Sequence, residues 1–127
     1  MRAWSAETLG GGPIRILDVR KPAEFVGDDR QSKRGGRVPG AVNLDWERFV
    51  NDDNTFRSPA EIRAMVDAAV QAAGGEDATS LRAAYCQGGV RAAAAWFALN
   101  VLAGLPVANY ARSWEEWGNR DDTPIEV

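Results

Sequence analysis

The chain contains no histidine, and its 127 residues include only one cysteine, Cys86. Without an imidazole it cannot carry a Ser-His-Asp triad or a Cys-His pair, and it lacks the commonest zinc ligand. One thiol can neither build a thiolate metal cluster nor close a disulfide within the chain. We therefore expect no metal and no cofactor, and we exclude a redox cycle between two cysteines of this chain.

Long apolar runs are also missing. No stretch of about 18 apolar residues is present, so no membrane span is expected, and the first ten residues lack the apolar core of a signal peptide. The net charge of −3 gives nucleic acid no electrostatic attraction. Together with the lone thiol, these absences predict a cytoplasmic protein that binds neither membrane nor nucleic acid.

What is present is the composition of an ordinary globular protein, with 45% hydrophobic and 26% charged residues. The length suits one core, so we predict a single domain over residues 1–127. Predicted strands cover residues 14–19, 41–44, 81–85 and 106–110, with residues 4–9 as a candidate edge strand. The basic, glycine-rich residues 27–37 are predicted to form a solvated surface loop.

Helical patterns separate the predicted strands. They cover residues 22–26 and 46–50, and two more helices begin at the capping boxes Ser58–Glu61 and Ser113–Glu116. A helix after Cys86 is expected to bury one apolar stripe, made of Val90, Ala94, Phe97 and Val101. Because strands and helices alternate, the pattern predicts an α/β fold whose parallel sheet carries helices on both faces.

The cysteine lies between a predicted strand and a predicted helix, with Gly88 and Gly89 following it closely. Backbone N–H groups and the dipole at a helix N-terminus favour an anion. A thiolate held there is a nucleophile without help from an imidazole, and the small loop residues allow N–H groups to turn toward the sulfur. This interpretation requires a thiol that solvent can reach; the alternative is a buried structural cysteine.

The loop Cys86-x-x-Gly89-x-Arg91 resembles the active-site loop of the rhodanese family of sulfurtransferases. Further segments are similar to motifs of that family in the same order: residues 17–20 with 22–25, 38–43, and 109–110 with 113–118. The resemblance covers roughly residues 14–126, and it is to the C-terminal catalytic domain of two-domain thiosulfate and mercaptopyruvate sulfurtransferases. It implies a rhodanese-like domain with a parallel sheet of roughly five strands.

The resemblance also implies a reaction and a set of site residues. Cys86 takes the outer sulfur of thiosulfate, releases sulfite, and passes the sulfur from a persulfide to cyanide or a thiol. The predicted partners are therefore a small anionic sulfur donor and a thiophilic acceptor. The implied substrate-binding residues are Gln87, Gly88, Gly89, Val90 and Arg91, and the candidate supporting residues are Asp18, Arg20, Arg112 and Trp114.

Each supporting residue has a structural alternative. Asp18 and Arg20 could form a structural ion pair, Trp114 could belong to the core, and Arg112 could simply be exposed. Arg91 is expected to brace the loop or to contact substrate.

Several departures from the family pattern leave the donor open. Gln87-Gly88 matches neither the cations of animal thiosulfate enzymes nor the glycine and small polar residue of mercaptopyruvate enzymes. Glu24 stands where some relatives carry an arginine, and Arg112 is a candidate replacement for the missing cations. A 3-mercaptopyruvate sulfurtransferase and a sulfur-carrier or regulatory module with little turnover are the alternatives.

A cysteine-dependent phosphatase fits less well, because its loop between cysteine and arginine is one residue longer than the four residues between Cys86 and Arg91. In the similar two-domain enzymes the active site lies between domains. A second rhodanese-like domain or a homodimer partner is therefore a further expected partner.

Overall fold

The computed structural model describes residues 15–75, 77–88, 90–110 and 112–127. Strands and helices alternate as predicted. The elements in chain order are β1 (Arg15–Asp18), α1 (Pro22–Phe25), β2 (Val42–Asn43), a 3₁₀ helix (Trp46–Phe49), α2 (Pro59–Ala72), a second 3₁₀ helix (Ala78–Ser80), β3 (Leu81–Tyr85), α3 (Val90–Trp96), a π-helical segment continuing α3 (Phe97–Leu102), β4 (Ala108–Asn109) and α4 (Ser113–Trp117). None of the helices in the described ranges is long and apolar enough to cross a bilayer.

The sheet is parallel, and its order is β2-β1-β3-β4. From β1 the chain moves to β2 on one side, whereas from β3 it moves to β4 on the other. The carboxyl ends of these two central strands therefore border the crevice where open parallel sheets bind ligands. The described residues form four strands rather than roughly five, and the candidate edge strand at residues 4–9 lies outside them.

Side-chain alternation along the central strands divides the core between the two faces of the sheet. Leu17 and Ala84 pack in a cluster with α2 and α3. Ala83 and Tyr85 point the other way and pack with Trp114 of α4. Helices therefore cover both faces, as predicted from the alternating pattern.

The helix α2 begins as its sequence predicts. The Ser58 hydroxyl accepts a hydrogen bond from the Glu61 amide, and the Glu61 carboxylate accepts one from the Ser58 amide, each at 3.2 Å. Pro59 occupies the first helical position. This reciprocal cap satisfies two N–H groups that a helix N-terminus leaves without internal partners.

The predicted apolar stripe of the helix after Cys86 is wrong. Phe97 is 39% exposed and Val101 is 56% exposed. The buried residues are instead Ala92, Ala95, Ala98 and Leu99. One reason is the π-helical segment, where the Ala103 amide bonds to the carbonyl of Ala98 and shifts the periodicity away from 3.6 residues per turn.

Residues 27–37 form no helix or strand, but they are not simply a solvated loop. The Arg34 guanidinium donates to the carbonyls of Trp117 and Thr123, each at 3.0 Å. Arg37 pairs with Glu126 through backbone hydrogen bonds in both directions at 2.9 Å. The basic residues of this segment therefore fasten the C-terminal part of the chain to the domain.

Candidate active site

Cys86 directly follows β3, at the crevice between the two central strands. The backbone N–H of Ala92, in the first turn of α3, donates a hydrogen bond to the Cys86 sulfur at 3.2 Å. A donor from the helix N-terminus therefore reaches the sulfur, although from one position beyond the expected residues 87–91. Gly89 lies outside the described residues. An N–H donor at this distance can stabilise negative charge that develops on the sulfur during a reaction.

The thiol is enclosed by the surrounding protein. Cys86 is 1% exposed, and its side chain belongs to the core cluster that packs on α2 and α3. The expectation of a thiol that solvent can reach is therefore wrong for this conformation. Because a substrate must touch the sulfur, any reaction at Cys86 requires the protein around the sulfur to move.

Ser113 supports the cysteine instead of capping a helix. Its hydroxyl accepts a hydrogen bond from the Cys86 amide at 2.9 Å and donates one to the Tyr110 carbonyl at 2.8 Å. The predicted capping box at this residue is wrong, because α4 starts at Ser113 itself with Arg112 as its N-cap. The buried Cys86 amide needs an acceptor, and the serine hydroxyl supplies it.

The N-terminus of α4 also anchors the carbonyl groups at the start of the cysteine loop. The Trp114 amide donates to the Cys86 carbonyl, and the Glu115 amide donates to the Gln87 carbonyl, each at 2.8 Å. The first N–H groups of a helix have no partners within the helix, so they are available for such bonds. The carbonyl groups of the loop and the first amides of α4 therefore satisfy one another's hydrogen bonds.

Arg91 braces the loop against α1. Its guanidinium makes two hydrogen bonds to the Glu24 carboxylate, at 2.7 and 3.0 Å. Burial alone would raise the pKa of Glu24, but hydrogen bonds from Arg91 and the Lys21 amide outweigh it and hold the pKa below its ordinary value. Of the two roles expected for Arg91, this geometry matches the brace.

Asp18, Arg20 and Trp114 form a buried support under the strand ends. The Asp18–Arg20 ion pair is 2.7 Å long, with side chains 0% and 1% exposed respectively. The Arg20 guanidinium lies 4.7 Å from the centroid of the Trp114 ring. Trp114 is 1% exposed and packs on the face of the sheet opposite the Cys86 cluster. All three residues therefore occupy the structural positions given above as alternatives.

Comparison with known proteins identifies the family. Residues 1–120 match the family of the rhodanese-like domain. The chain belongs to the rhodanese-like family. It is 41% identical over 139 aligned positions to the thiosulfate sulfurtransferase of Corynebacterium glutamicum, a match that takes in 99% of this chain and 44% of that protein. This rhodanese-like chain therefore spans less than half the length of that relative.

Solved structures share this architecture. The anaerobic ergothioneine biosynthesis enzyme from Chlorobium limicola, in complex with trimethyl histidine, aligns with a TM-score of 0.73 and 27% identity, covering 91% of this chain and 28% of that one. A structure of EanB, with a cysteine persulfide in a tetrahedral intermediate state with ergothioneine, aligns with a TM-score of 0.72 and 28% identity. That alignment covers 89% of this chain and 28% of the EanB chain. The predicted rhodanese-like α/β fold is confirmed.

The loop positions after the cysteine differ in how they are held. The Gln87 side-chain amide donates to the Ser32 hydroxyl at 2.8 Å. A Cβ atom at Gly88 would meet the Glu115 carboxylate at 3.5 Å, which is ordinary contact. The contacts around this position therefore do not by themselves require a glycine. The backbone of Val90 starts α3, and its side chain lies outside the described part of the structure.

A charged cavity of about 520 Å³ lies beside Gly88. Arg112 is on its rim, 73% exposed and 3.7 Å from Glu116. The other lining residues are Glu115, Asn119 and Arg120. Arg112 and Gly88 of the cysteine loop thus line the same cavity. Among the residues that the structure describes, no group of three cysteine or carboxylate side chains is arranged to hold a metal ion.

Proposed function

We propose that this rhodanese-like domain is a sulfurtransferase that moves sulfane sulfur from thiosulfate to cyanide or a thiol through a persulfide on Cys86. The observation that carries the proposal is the Ala92 N–H at 3.2 Å from the Cys86 sulfur, at the carboxyl end of a central strand. The name of the Corynebacterium glutamicum relative supports thiosulfate as donor. The cysteine persulfide in EanB supports the intermediate.

In the first half-reaction, the Cys86 thiolate attacks the outer sulfur of thiosulfate. A new S–S bond forms to Cys86, the S–S bond of thiosulfate breaks, and its electron pair leaves with sulfite. The negative charge moves from the cysteine sulfur to the terminal sulfur of the persulfide. The Ala92 N–H and the positive end of α3 stabilise this charge without an imidazole.

In the second half-reaction, the acceptor attacks the terminal sulfur of the persulfide. Cyanide leaves as thiocyanate, or a thiolate leaves as a persulfide, and the electron pair of the broken S–S bond returns to Cys86 as thiolate. The chain has no other cysteine that could take over the sulfur. The acceptor must therefore lie outside these 127 residues, and no external reductant is consumed in the transfer to cyanide.

The neighbouring charges have separate roles in this proposal. Arg91 is committed to Glu24 and holds the loop, so it is a positioning residue. Arg112 is exposed beside Gly88 and attracts the dianionic donor toward the loop. The supply of thiosulfate from the charged rim to the buried sulfur then depends on movement of the protein around Cys86.

The experiment that tests the proposal compares the wild type with Cys86→Ser in thiocyanate formation from thiosulfate and cyanide. We expect kcat/KM to fall on the order of a thousandfold or more, because the nucleophile is lost. Far-ultraviolet circular dichroism and the urea midpoint should stay close to wild type, because serine fits the same space. Retained activity would place the nucleophile elsewhere. A higher kcat/KM with 3-mercaptopyruvate than with thiosulfate would reject thiosulfate as the donor.

A further inference from the structure

The helical segment that starts with α3 carries no charge beyond its first turn. No charged residue occurs between Arg91 and Arg112, so α3 after Arg91 and its π-helical continuation consist of apolar residues and Asn100. A helix on a protein surface normally presents polar side chains to solvent, and a helix that is apolar all round is normally buried. The outer side of this segment therefore has the composition of a covered surface.

That outer side is nonetheless exposed. Trp96 and Phe97 are each 39% exposed, Val101 is 56% exposed, and Ala93 is exposed one turn earlier. Residues three and four positions apart share a side of a helix, and the wider turn of the π-helical segment brings Val101 to the same side. These four residues form a surface that we call the aromatic face. Contiguous exposed apolar side chains mark a contact site, whereas scattered single ones do not.

The aromatic face offers a partner no free polar group from its own segment. The Asn100 amide nitrogen donates to the carbonyls of Val107 at 2.7 Å and Trp96 at 3.1 Å, and its oxygen accepts from the Val107 amide at 3.0 Å. Phe97 is also supported by Phe56, with ring centroids 5.3 Å apart. The face is therefore apolar and partly fixed before any partner arrives, which lowers the entropy cost of binding.

The chemistry of the aromatic face selects its partner. A charged partner surface would lose its water against this face and find no counter-charge there, which costs free energy. The matching surface is therefore apolar and uncharged. A second copy of the chain supplies such a surface, and a two-fold contact brings identical side chains together without opposing like charges.

The size of the aromatic face sets the strength of the contact. Residues 93–101 span only roughly 12 Å of helix, so each copy buries much less than the roughly 800 Å² of a standard interface. We propose that the aromatic face is the contact surface of a weak, reversible dimer, in which this segment of one copy packs against the same segment of a second copy. We expect a Kd on the order of 10–100 μM.

Sedimentation velocity of the full chain, from about 5 μM to about 1 mM, tests the dimer. The wild-type sedimentation coefficient should rise with concentration to that of a dimer and no further. Val101→Glu should raise Kd at least about tenfold, because the contact would bury a charge without a counter-ion. Val26→Glu is the matched control. Val26 is also an exposed valine, 44% exposed, but it follows α1, so this variant should dimerise like the wild type.

A second variant and a change of salt keep the test decisive. Trp96→Ser should weaken the dimer as well, and circular dichroism identifies a variant that fails to fold. Raising sodium chloride from about 50 to about 500 mM should leave Kd unchanged or lower it, because the contact contains no ion pair to screen.

Several results would overturn the dimer. They are a wild type that stays monomeric at about 1 mM, growth beyond a dimer, a Kd that rises about tenfold with salt, and equal weakening by Val26→Glu and Val101→Glu. A folded Trp96→Ser variant with the wild-type Kd would also contradict it. The measurement uses no sulfur donor or acceptor, so its outcome is independent of the proposed function.

Discussion

At the scale of single residues, both backbone hydrogen-bonding groups of Cys86 are held by one element, the start of α4. Its amide donates to the Ser113 hydroxyl and its carbonyl accepts from the Trp114 amide, so the start of α4 satisfies both groups. The sulfur itself meets the Ala92 amide of α3. Two helix starts therefore fix the cysteine, one through its main chain and the other through its side chain.

The Glu24–Arg91 pair gives a prediction about stability. Glu24→Gln removes a buried negative charge that makes two hydrogen bonds to Arg91, and leaves that guanidinium, 26% exposed, without its counter-ion. We expect the free energy of unfolding at neutral pH to fall by about 1–3 kcal/mol, measured by urea denaturation. Glu47→Gln, an exposed carboxylate, is the control and should change it by less than about 0.5 kcal/mol.

The pH dependence of that difference has a definite sign. The pKa of Glu24 in the folded protein lies below its ordinary value of 4.5, because the hydrogen bonds from Arg91 and Lys21 outweigh burial. The stabilisation is thus present above about pH 4.5 and is lost as the pH falls through the folded-state pKa. The wild-type advantage over Glu24→Gln should shrink in acid. An advantage that stays constant down to about pH 2 would contradict the ionised pair.

Some residues of the site could be predicted from local sequence and others could not. Cys86 is flanked by a short apolar run, glycines and a helical pattern, so its place between β3 and α3 follows from neighbours in the chain. Ser113 and Ser32 act on the loop from 27 and 55 positions away, and their hydroxyls have no local pattern that reveals this role. The partner of Arg91, Glu24, is 67 positions away in the chain.

At the scale of elements, the helix after the cysteine contacts the core through small side chains. Ala95 and Ala98 are 0% exposed, while Phe97 rests against Phe56 with ring centroids 5.3 Å apart at the edge of the core. Alanines let the helix lie close to the sheet, which leaves little room for a larger residue. Close packing of α3 also fixes the Ala92 amide against the sulfur.

This packing predicts that substitutions at two positions of the helix change the free energy of unfolding by different amounts. Ala95→Leu should lower the free energy of unfolding by about 1–3 kcal/mol, because the added volume meets a filled core. Val101→Ser, at a position 56% exposed, should change it by no more than about 0.5 kcal/mol. Chemical denaturation of the wild type and both variants measures these changes in the free energy of unfolding. A larger loss from Val101→Ser than from Ala95→Leu would restore the stripe expected from the sequence.

The elements show where sequence patterns succeed. Alternating strands and helices predict the parallel sheet, and the Ser58–Glu61 cap predicts the start of α2, because both signals are local. The prediction that Phe97 and Val101 lie on the buried face of the helix is wrong. The presence of apolar side chains on one helix face does not determine that this face packs against the core. The π-helical segment then alters the spacing on which the prediction depends.

At the scale of the whole molecule, the chain crosses from one half of the sheet to the other between β2 and β3. The crevice created there holds Cys86, and the buried Asp18–Arg20 pair supports the neighbouring strand end. The fold thus brings the proposed nucleophile and helix N–H groups together at one edge. This arrangement is consistent with sulfur transfer by a small domain that has neither histidine nor a second cysteine.

The central claim is that Cys86 accepts one sulfur atom from thiosulfate, and intact-protein mass spectrometry tests it most directly. After incubation with thiosulfate and removal of excess reagent, we predict that the wild type gains the mass of one sulfur atom and that cyanide removes it. Cys86→Ser treated in the same way should gain nothing. An unchanged mass for wild-type protein with its cysteine reduced, or an equal gain in Cys86→Ser, would contradict the account.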